Sequence, residues 1–360
     1  MQHAINISTR GIGLTCPNPS VGCVVVNKNT IVGRGVTAKG GRPHAETLAL
    51  KMAGDKARGS SVYVTLEPCN HIGETDPCCE ALISAGVRKV IVATLDPDKR
   101  VSGKGVTKLK NSGIEVINGV LEKEAIEVNE GYFKNKYQNQ PLTTLKIAIS
   151  IDSKVATKTG ESKWITSKGA RDHSHMLRAR SDALIISSST AINDNPSLTC
   201  RLPGMIDYSP IRVILDAFRK VPNNLEIFKN AKSIPVWVFT SVPESEKINQ
   251  ESIALGVKII NVNKDRFGYG VNLKQVFAFL SSQGIMRVMV ESGGNLSSAL
   301  INEKLIDRLV IYRAPSVIGG DGMSAIESIN VKSLSDSLQL ELIKLEEFDS
   351  NIIETYKVLK

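Results

Sequence analysis

The chain has 360 residues, of which 42% are hydrophobic and 22% charged, and its formal net charge is +9. This length predicts two domains, because a single hydrophobic core rarely extends beyond about 250 residues. The composition excludes extensive disorder, and no apolar run approaches the ~18 residues that a membrane span needs.

The distribution of the basic residues argues against nucleic-acid binding. They are scattered, with local clusters at 104–110 and 171–180, and aromatic residues make up only 5% of the chain. Surfaces that bind nucleic acid concentrate basic residues and often add aromatic stacking platforms. We therefore expect no nucleic-acid partner.

The cysteines and the first residues indicate a reducing compartment. Residues 1–6 lack a basic segment followed by an apolar one, so no signal peptide is predicted. Six cysteines in such a chain are interpreted as metal ligands or buried thiols rather than disulfides. We expect a cytoplasmic protein with no membrane association.

The first third of the chain alternates predicted strands and helices. A hairpin is predicted over 20–33, followed by a helix over 44–53 and a strand over 61–64. A helix over 77–85, a strand over 89–93, a helix over 104–110 and a strand over 114–117 complete it. This alternation predicts an α/β sheet covered by helices on both faces.

A second α/β domain is predicted after Pro141. One charged amphipathic helix is predicted over 122–136, and the segment up to Pro141 ends it. Strands are predicted over 142–148, 183–187, 211–215, 236–239, 257–260, 287–291 and 308–312, with helices over 168–181 and 273–283. The predicted domains are therefore 1–120 and 142–360, joined by a connecting helix and linker over 121–141.

One imidazole and two thiols have the spacing of a catalytic zinc site. His44 opens a helix, Cys69 follows a strand and Cys78 starts the next helix. Three such ligands leave one coordination position open, which is typical of catalytic zinc. Glu46 can face the same pocket without binding the metal and act as general acid and base. This is the His-x-Glu…Pro-Cys pattern of zinc nucleobase deaminases.

Other residues near this motif have simpler interpretations. His71 could replace Cys78 as a ligand, but the cysteine at a helix start is the preferred candidate. Cys79 is interpreted as a buried apolar thiol, like Cys16, Cys23 and Cys200. A purely structural zinc site would need a fourth ligand and would not need Glu46.

Longer motifs carry a family resemblance over nearly the whole chain. They lie at 17–22, 66–71, 77–79 and 96–97 in the first domain, and at 145–146, 150–152, 160–166, 194–199, 213–216, 290–294 and 314–320 in the second. In this order they resemble the RibD family of bifunctional riboflavin-biosynthesis deaminase–reductases. The resemblance implies a cytidine-deaminase-like α/β/α domain followed by a dihydrofolate-reductase-like α/β domain.

The resemblance also implies two consecutive reactions on one small molecule. The first is zinc-dependent hydrolytic deamination of 2,5-diamino-6-(5-phosphoribosylamino)pyrimidin-4-one. The second is NADPH-dependent reduction of the ribosyl side chain, which gives 5-amino-6-(5-phosphoribitylamino)uracil. The implied cofactors are Zn²⁺ and NADPH, and we expect a homo-oligomer.

The expected NADPH site centres on a glycine turn that follows the strand over 287–291. Glycines before a helix let backbone N–H groups approach a phosphate, although such a turn is often only a turn. By resemblance, the residues that contact NADPH are Ala148, Trp164, Thr190, Asp194, Ala217, Gly293, Gly294, Asn295, Leu296, Ser297, Ser298 and Ala299.

The expected substrate contacts include two arginines, because a guanidinium pairs with phosphate oxygens through two hydrogen bonds. By resemblance, Ser162, Arg178, Leu198 and Arg201 bind the substrate. Glu291, at the end of a buried strand, and Asn18 are also predicted to contact it. Lys146 lies in an otherwise apolar strand, where an unpaired ammonium group is costly. It is predicted to be catalytic, either holding the sugar or donating a proton to its ring oxygen.

Several residues depart from the family pattern. Glu74 replaces the usual Lys or Arg, Asp76 the usual Pro, and Asp98 the usual Asn, while Ser153 replaces a Gly. The three acidic residues add negative charge near an expected substrate phosphate. One alternative is therefore a reductase with a weakened deaminase half. Another is a nucleic-acid or tRNA-editing deaminase, which the positive charge favours and the reductase motifs oppose.

Overall fold

The chain folds into two units. The computed structural model describes residues 1–71, 76–243 and 251–359. The first unit contains Met1–Gln140 and Gln283–Met286, and the second contains Pro141–Ser282 and Arg287–Lys360. None of the helices in these described ranges is long and apolar enough to cross a bilayer.

The first unit is built on a five-stranded sheet. Its strands are β1 Gly22–Asn27, β2 Thr30–Val36, β3 Ser61–Val64, β4 Lys89–Val92 and β5 Glu115–Asn118. Its helices are Gln2–Ser8, Ala45–Ala53, Cys78–Ser84, Lys104–Asn111, Glu122–Val128 and Glu130–Gln138. The strand order is β2-β1-β3-β4-β5. The hairpin β1–β2 is antiparallel, as is β1–β3, whereas β3, β4 and β5 are parallel.

Glycines in β2 let the helix Ala45–Ala53 lie directly on the sheet. A Cβ atom on Gly33 would come within 2.1 Å of the Ala49 carbonyl oxygen, and one on Gly35 within 2.2 Å of the Ala45 oxygen. No side chain fits at either position. The close approach fixes the start of this helix, where His44 and Glu46 lie, against the sheet.

The prediction of a single helix over 122–136 is wrong, because the helix is interrupted at Asn129. This residue is 5% exposed, and its side chain makes two hydrogen bonds to the backbone of Ser20. Its Nδ2 donates to the Ser20 carbonyl at 2.9 Å, and its Oδ1 accepts from the Ser20 N–H at 2.9 Å. A long-range contact of this kind leaves no signal in helical periodicity.

The second unit contains a nine-stranded sheet. Its strands are β6 Leu142–Ile149, β8 Ala183–Ser187, β9 Ile211–Leu215, β10 Val236–Thr240, β11 Val257–Asn261, β12 Arg287–Glu291, β13 Arg308–Arg313, β15 Leu340–Phe348 and β16 Asn351–Val358. A separate pair joins β7 Lys154–Ala156 and β14 Met323–Ser324. The helices are Lys168–Ala179, Ser188–Asp194, Leu273–Ser282 and Gly294–Asn302.

This sheet is parallel over most of its width and antiparallel at one edge. Its order is β11-β10-β9-β8-β12-β6-β13-β16-β15. The strands from β11 to β13 are parallel, whereas β16 pairs antiparallel with both β13 and β15. The terminal hairpin β15–β16 was not predicted. Most residues of β15 are exposed.

The register of the central strands brings functional residues together. Parallel strands end at the same edge of a sheet, where ligands of α/β proteins usually bind. Glu291, the last residue of β12, is level with Lys146 of β6. Ala148 of β6 is level with Tyr312 of β13. These four residues therefore lie on neighbouring strands at one end of the sheet.

Candidate active sites

The first unit contains a cluster of metal-ligating side chains. The donor atoms of His44, Cys69 and Cys78 all lie within 4.8 Å of one another. Nδ1 of His44 is 3.3 Å from Sγ of Cys78 and 3.7 Å from Sγ of Cys69. His44 precedes the helix Ala45–Ala53, and Cys78 is the first residue of its own helix.

These distances fit a zinc ion. With Zn–S bonds of about 2.3 Å and Zn–N bonds of about 2.0 Å, tetrahedral geometry separates the ligand atoms by roughly 3.5–3.8 Å. The backbone N–H of Cys78 also donates to Sγ of Cys69 at 3.4 Å. Hydrogen bonds from Cys78 and His44 lower the pKa of the Cys69 thiol to about 4. One nitrogen and two sulfurs are a donor set that zinc prefers.

Glu46 lies beside this cluster and is 3% exposed. Burial, followed by the negative charge of Cys69, raises the pKa of its carboxyl group to about 7. Glu46 is on the first turn of the helix that His44 precedes, so both residues face the same pocket. A buried carboxyl group in this position can accept and release a proton near neutral pH.

A second buried carboxylate, missed by the sequence analysis, organises the surrounding loop. Glu67 is 3% exposed and two residues from Cys69. Its Oε2 accepts hydrogen bonds from the N–H groups of Asp96 at 3.2 Å and Gly103 at 2.8 Å. Its Oε1 accepts from Val106 at 3.0 Å. Its place in the Leu-Glu-Pro-Cys motif, close to the predicted ligand Cys69, was the one sequence feature that could have identified it.

The remaining candidates near the zinc cluster have other surroundings. His71 does not belong to the metal-ligating group found among the described residues. Cys79 is fully buried, and its thiol donates to the Pro68 carbonyl at 3.3 Å. Nδ2 of Asn18 donates to the Gly41 carbonyl at 3.0 Å. This bond holds the segment that leads into His44.

The acidic departures from the family pattern differ in their surroundings. Asp98 accepts two hydrogen bonds from the guanidinium of Arg100, at 2.9 and 2.7 Å, and one from Lys136 at 2.9 Å. Its charge is therefore compensated within the unit. Asp76 is exposed, and Glu74 lies outside the described residues. Ser153, in the second unit, has a φ of 66°, in the left-handed region that favours glycine.

The second unit contains a cavity of about 510 Å³ at the ends of the central strands. Its lining includes both predicted cofactor residues and predicted substrate residues. They are Lys146, Ala148, Ser162, Trp164, Arg178, Thr190, Asp194, Leu198, Arg201 and Glu291. Tyr312 and His175 also line it, although neither belongs to a motif that predicted a site residue.

Charged groups at the base of this cavity are arranged as a compensated cluster. The guanidinium of Arg178 donates to both carboxylate oxygens of Glu291, at 2.7 and 2.8 Å. Burial alone would raise the pKa of Glu291, but Arg178 and Lys146 outweigh it and lower that pKa to about 2. Burial lowers the pKa of Lys146. Lys146 is thus a buried acid held beside an ionised carboxylate.

Tyr312 supports Lys146 from the neighbouring strand. The Lys146 ammonium lies 4.9 Å from the centre of the Tyr312 ring, a cation–π distance. The Tyr312 hydroxyl is 2.8 Å from Nδ1 of His173. The strand register could have identified Tyr312, because Tyr312 of β13 pairs with Ala148 of β6, a predicted cofactor contact.

A buried arginine fixes the loop that carries Leu198 and Arg201. Arg212 of β9 is fully buried. Its Nη1 donates to the carbonyl oxygens of Ser197 at 3.2 Å and Ile227 at 2.8 Å. Nη1 of Arg201 itself donates to Oγ of Ser197 at 3.0 Å. The loop is therefore tied to the sheet at Ser197.

The glycine turn after β12 lies outside the residues that line this cavity, as does Ala217. Gly293 precedes the helix Gly294–Asn302, and a Cβ on Gly293 would meet no atom within 4 Å. The Ser297 and Ser298 hydroxyls donate to the carbonyls of Gly293 and Gly294, at 3.1 and 2.9 Å. Open space over a helix N-terminus fits a phosphate group bound by backbone N–H groups.

Comparison with known proteins agrees with both sites. Residues 1–94 match the model for the cytidine and deoxycytidylate deaminase zinc-binding region. Residues 141–353 match the model for the RibD C-terminal domain. The fold and its two sites thus define a bifunctional enzyme, with a zinc-dependent deaminase domain and an NADPH-dependent reductase domain.

Similar proteins extend the match to the full length. The riboflavin biosynthesis protein RibD of Aquifex aeolicus is 40% identical, with 99% of this chain and 97% of the relative covered. The RibD of Escherichia coli is 36% identical, with 95% of this chain and 94% of the relative covered. This chain belongs to the RibD family of riboflavin biosynthesis.

Solved structures agree with this assignment. Acinetobacter baumannii RibD, form 1, superposes with a TM-score of 0.91 at 38% identity, covering 100% of this chain and 98% of that one. A Thermotoga maritima structure superposes with a TM-score of 0.87 at 32% identity, covering 100% and 97%. It is described as a diaminohydroxyphosphoribosylaminopyrimidine deaminase/5-amino-6-(5-phosphoribosylamino)uracil reductase.

Proposed function

We propose that this enzyme catalyses two consecutive steps on a ribosyl-phosphate pyrimidine. It deaminates 2,5-diamino-6-(5-phosphoribosylamino)pyrimidin-4-one and then reduces the ribosyl side chain, giving 5-amino-6-(5-phosphoribitylamino)uracil. The activity for which the Thermotoga maritima relative is named supports this substrate pair. The observation that carries the proposal is the presence of both sites in one chain: the zinc-ligating cluster and the cavity around Lys146 and Glu291.

We assign deamination to residues 1–120 and reduction to residues 142–360, with 121–141 as the connecting segment. The division of the packing between Gln140 and Pro141 supports the start of the reductase part, and the helices of the connecting segment pack with the first unit.

In the deaminase site, His44, Cys69 and Cys78 hold the zinc ion. Bound zinc supplies a water that is acidic enough to act as a nucleophile at neutral pH. Glu46 accepts a proton from the nucleophile and passes a proton to the departing amino group. The amino group leaves as ammonia, and a carbonyl takes its place on the ring. Asn18 contacts the substrate from the segment next to His44.

In the reductase site, Lys146 is the proton donor. Bound NADPH supplies a hydride for C1′ of the sugar. As C1′ is reduced, the bond to the ring oxygen breaks and this oxygen takes a proton from the Lys146 ammonium. Burial lowers the pKa of Lys146, which makes its ammonium a stronger acid. Glu291 keeps the cation in place before the transfer.

The substrate and NADPH share the reductase cavity, whose lining contains residues assigned to each. Arg201, Ser162 and Leu198 bind the substrate with Arg178 and Glu291. NADPH contacts Ala148, Trp164, Thr190, Asp194, Ala217 and the segment Gly293, Gly294, Asn295, Leu296, Ser297, Ser298 and Ala299. In that segment the phosphate contacts come from backbone N–H groups, because the serine hydroxyls are bonded within the helix.

We further propose a cytoplasmic homo-oligomer with no nucleic-acid partner. Free thiolate ligands require a reducing compartment, which supports the cytoplasm. The edge strand β15 exposes Leu342, Ile343 and Leu345, and exposed apolar residues on a sheet edge favour pairing with a second copy.

The test uses the purified full chain and synthetic substrates. Ammonia release and NADPH oxidation are followed separately, with the diamino substrate and with the deaminated one. Both activities are expected, and removal of zinc by a chelator abolishes only ammonia release. Reduction without deamination in zinc-loaded enzyme would contradict the proposal and identify a reductase with an inactive deaminase half.

A further inference from the structure

The helix Lys168–Ala179 presents an unassigned histidine to the reductase cavity. His175 is 8% exposed and lines the cavity together with Arg178, one turn further along the same helix. Residues three apart on a helix lie on one face. Arg201 lines the same cavity and belongs to the loop that follows the helix Ser188–Asp194.

One ring nitrogen of His175 is already used. The backbone N–H of Arg201 donates to Nδ1 of His175 at 3.4 Å. In a neutral imidazole, a nitrogen that accepts a hydrogen bond leaves the proton on the other nitrogen. His175 therefore carries its proton on Nε2. Within the described ranges, Nε2 has no hydrogen-bond partner in the protein.

The charges around His175 keep the ring neutral. Arg178 and Arg201 face it as cations, Glu291 faces it as a carboxylate, and Asp172 lies on its own helix. Burial, followed by the two arginines, lowers the pKa of His175 to about 4. The ring is an uncharged Nε2–H donor throughout the neutral pH range.

We propose that His175 is a substrate-binding residue whose Nε2–H donates a hydrogen bond to the phosphate of the reductase substrate, beside the guanidinium of Arg201. The Nε2–H group needs an acceptor, and a phosphate oxygen of the ligand can supply one. The Glu291 carboxylate is already bonded to Arg178 through both oxygens. The inference rests on the proposed function, since it requires a phosphorylated substrate.

Two variants separate the two ring nitrogens. His175→Gln retains an N–H donor near the position of Nε2, whereas His175→Asn retains an acceptor near the position of Nδ1. With the deaminated phosphoribosyl substrate, we expect His175→Asn to raise KM about tenfold or more with little change in kcat. We expect the KM of His175→Gln to stay within about threefold of the wild-type value.

Binding of ribose 5-phosphate without NADPH, measured by calorimetry, gives a readout independent of catalysis. His175→Asn should weaken it by the same factor, and neither variant should weaken binding of unphosphorylated ribose or of NADPH. The reverse order, with His175→Asn normal and His175→Gln impaired, would overturn the proposal and indicate that His175 only positions Arg201. Absence of both activities in the wild-type chain would instead contradict the proposed function.

Discussion

Arg178 and Glu291 form an ion pair with two hydrogen bonds, of 2.7 and 2.8 Å, at the base of the reductase cavity. Both side chains are largely shielded from solvent, with 12% and 16% of their surfaces exposed. The Arg178 guanidinium has few N–H groups left for a ligand. Its Nη1 donates to the Thr199 carbonyl at 3.2 Å, in addition to the two bonds with Glu291. Arg201 is therefore the more available cation for a phosphate.

This difference predicts distinct effects for the two arginines. Arg201→Ala should raise the KM of the reductase substrate by about 10- to 100-fold with little loss of stability, since a charge-assisted hydrogen bond is worth about 1.5–3 kcal/mol. Arg178→Ala should lower both kcat and the free energy of unfolding, the latter by about 3–5 kcal/mol, because Glu291 loses its partner. Steady-state kinetics and urea unfolding measure both. The exposed Arg180→Ala is the control, and equal effects of all three substitutions would contradict the distinction.

The Glu291 carboxylate should make the reductase unit sensitive to acid. Its pKa is about 2 in the folded protein, below the ordinary value of 4.5, so the stabilisation is present above pH ~4.5 and is lost as pH falls towards 2. By pH 3 the wild type should lose about 2 kcal/mol relative to Glu291→Gln.

Tryptophan fluorescence can isolate this effect, because both tryptophans of the chain, Trp164 and Trp237, belong to the reductase unit. Urea unfolding of the wild type and of Glu291→Gln is compared at pH 6 and pH 3. Parallel pH dependence in the two proteins would show that the ion pair does not contribute in this way.

The zinc ligands can be tested with two adjacent cysteines. Cys78→Ser should remove the metal and the deaminase activity, because a serine hydroxyl replaces a thiolate ligand. Cys79→Ser should keep about one zinc per chain, because Cys79 is outside the metal-ligating group. Its thiol donates to the carbonyls of Pro68 and Gly105, which a hydroxyl can also do. Metal analysis and ammonia release decide the matter. Full zinc content and activity in Cys78→Ser would rule out this ligand set.

Glu46 can be separated from the metal by an isosteric change. Glu46→Gln should keep zinc but slow deamination by at least ~100-fold, the contribution of a positioned acid and base. Reduction of the deaminated substrate should continue at the wild-type rate. If the variant deaminates normally, another group transfers the proton; if both activities fall together, the two halves are coupled.

In the deaminase unit, the residues in local motifs could be predicted from the sequence, whereas those whose role depends on long-range contacts could not. The spacing of His44, Cys69 and Cys78 predicted a cluster because each ligand lies at the end of a short regular element, and their donor atoms do come together. Glu67 was missed, since its partners lie about 30 to 40 residues further along the chain. The same reason explains the break at Asn129, whose partner is Ser20.

In the reductase unit, ten of the residues that line the cavity were predicted as site residues, most of them from the resemblance. Tyr312 and His175 were overlooked because a single aromatic or histidine in a regular element looks like an ordinary core residue. The hairpin β15–β16 was also missed. Its first strand is largely exposed and mixes charged with apolar residues, so the alternation that marks a half-buried strand is absent.

The hydrogen bonds of the buried Arg212 guanidinium affect the free energy of substrate binding. Fixing one residue of a flexible backbone costs roughly 1–2 kcal/mol of conformational entropy. The loop that carries Leu198 and Arg201 is tied at Ser197 by Arg212, so this ordering is complete when the protein folds. In the proposed complex, the phosphate binds a loop that is already held in place, so less of its binding energy is spent on ordering that loop. That energy remains for holding C1′ of the sugar against the cofactor.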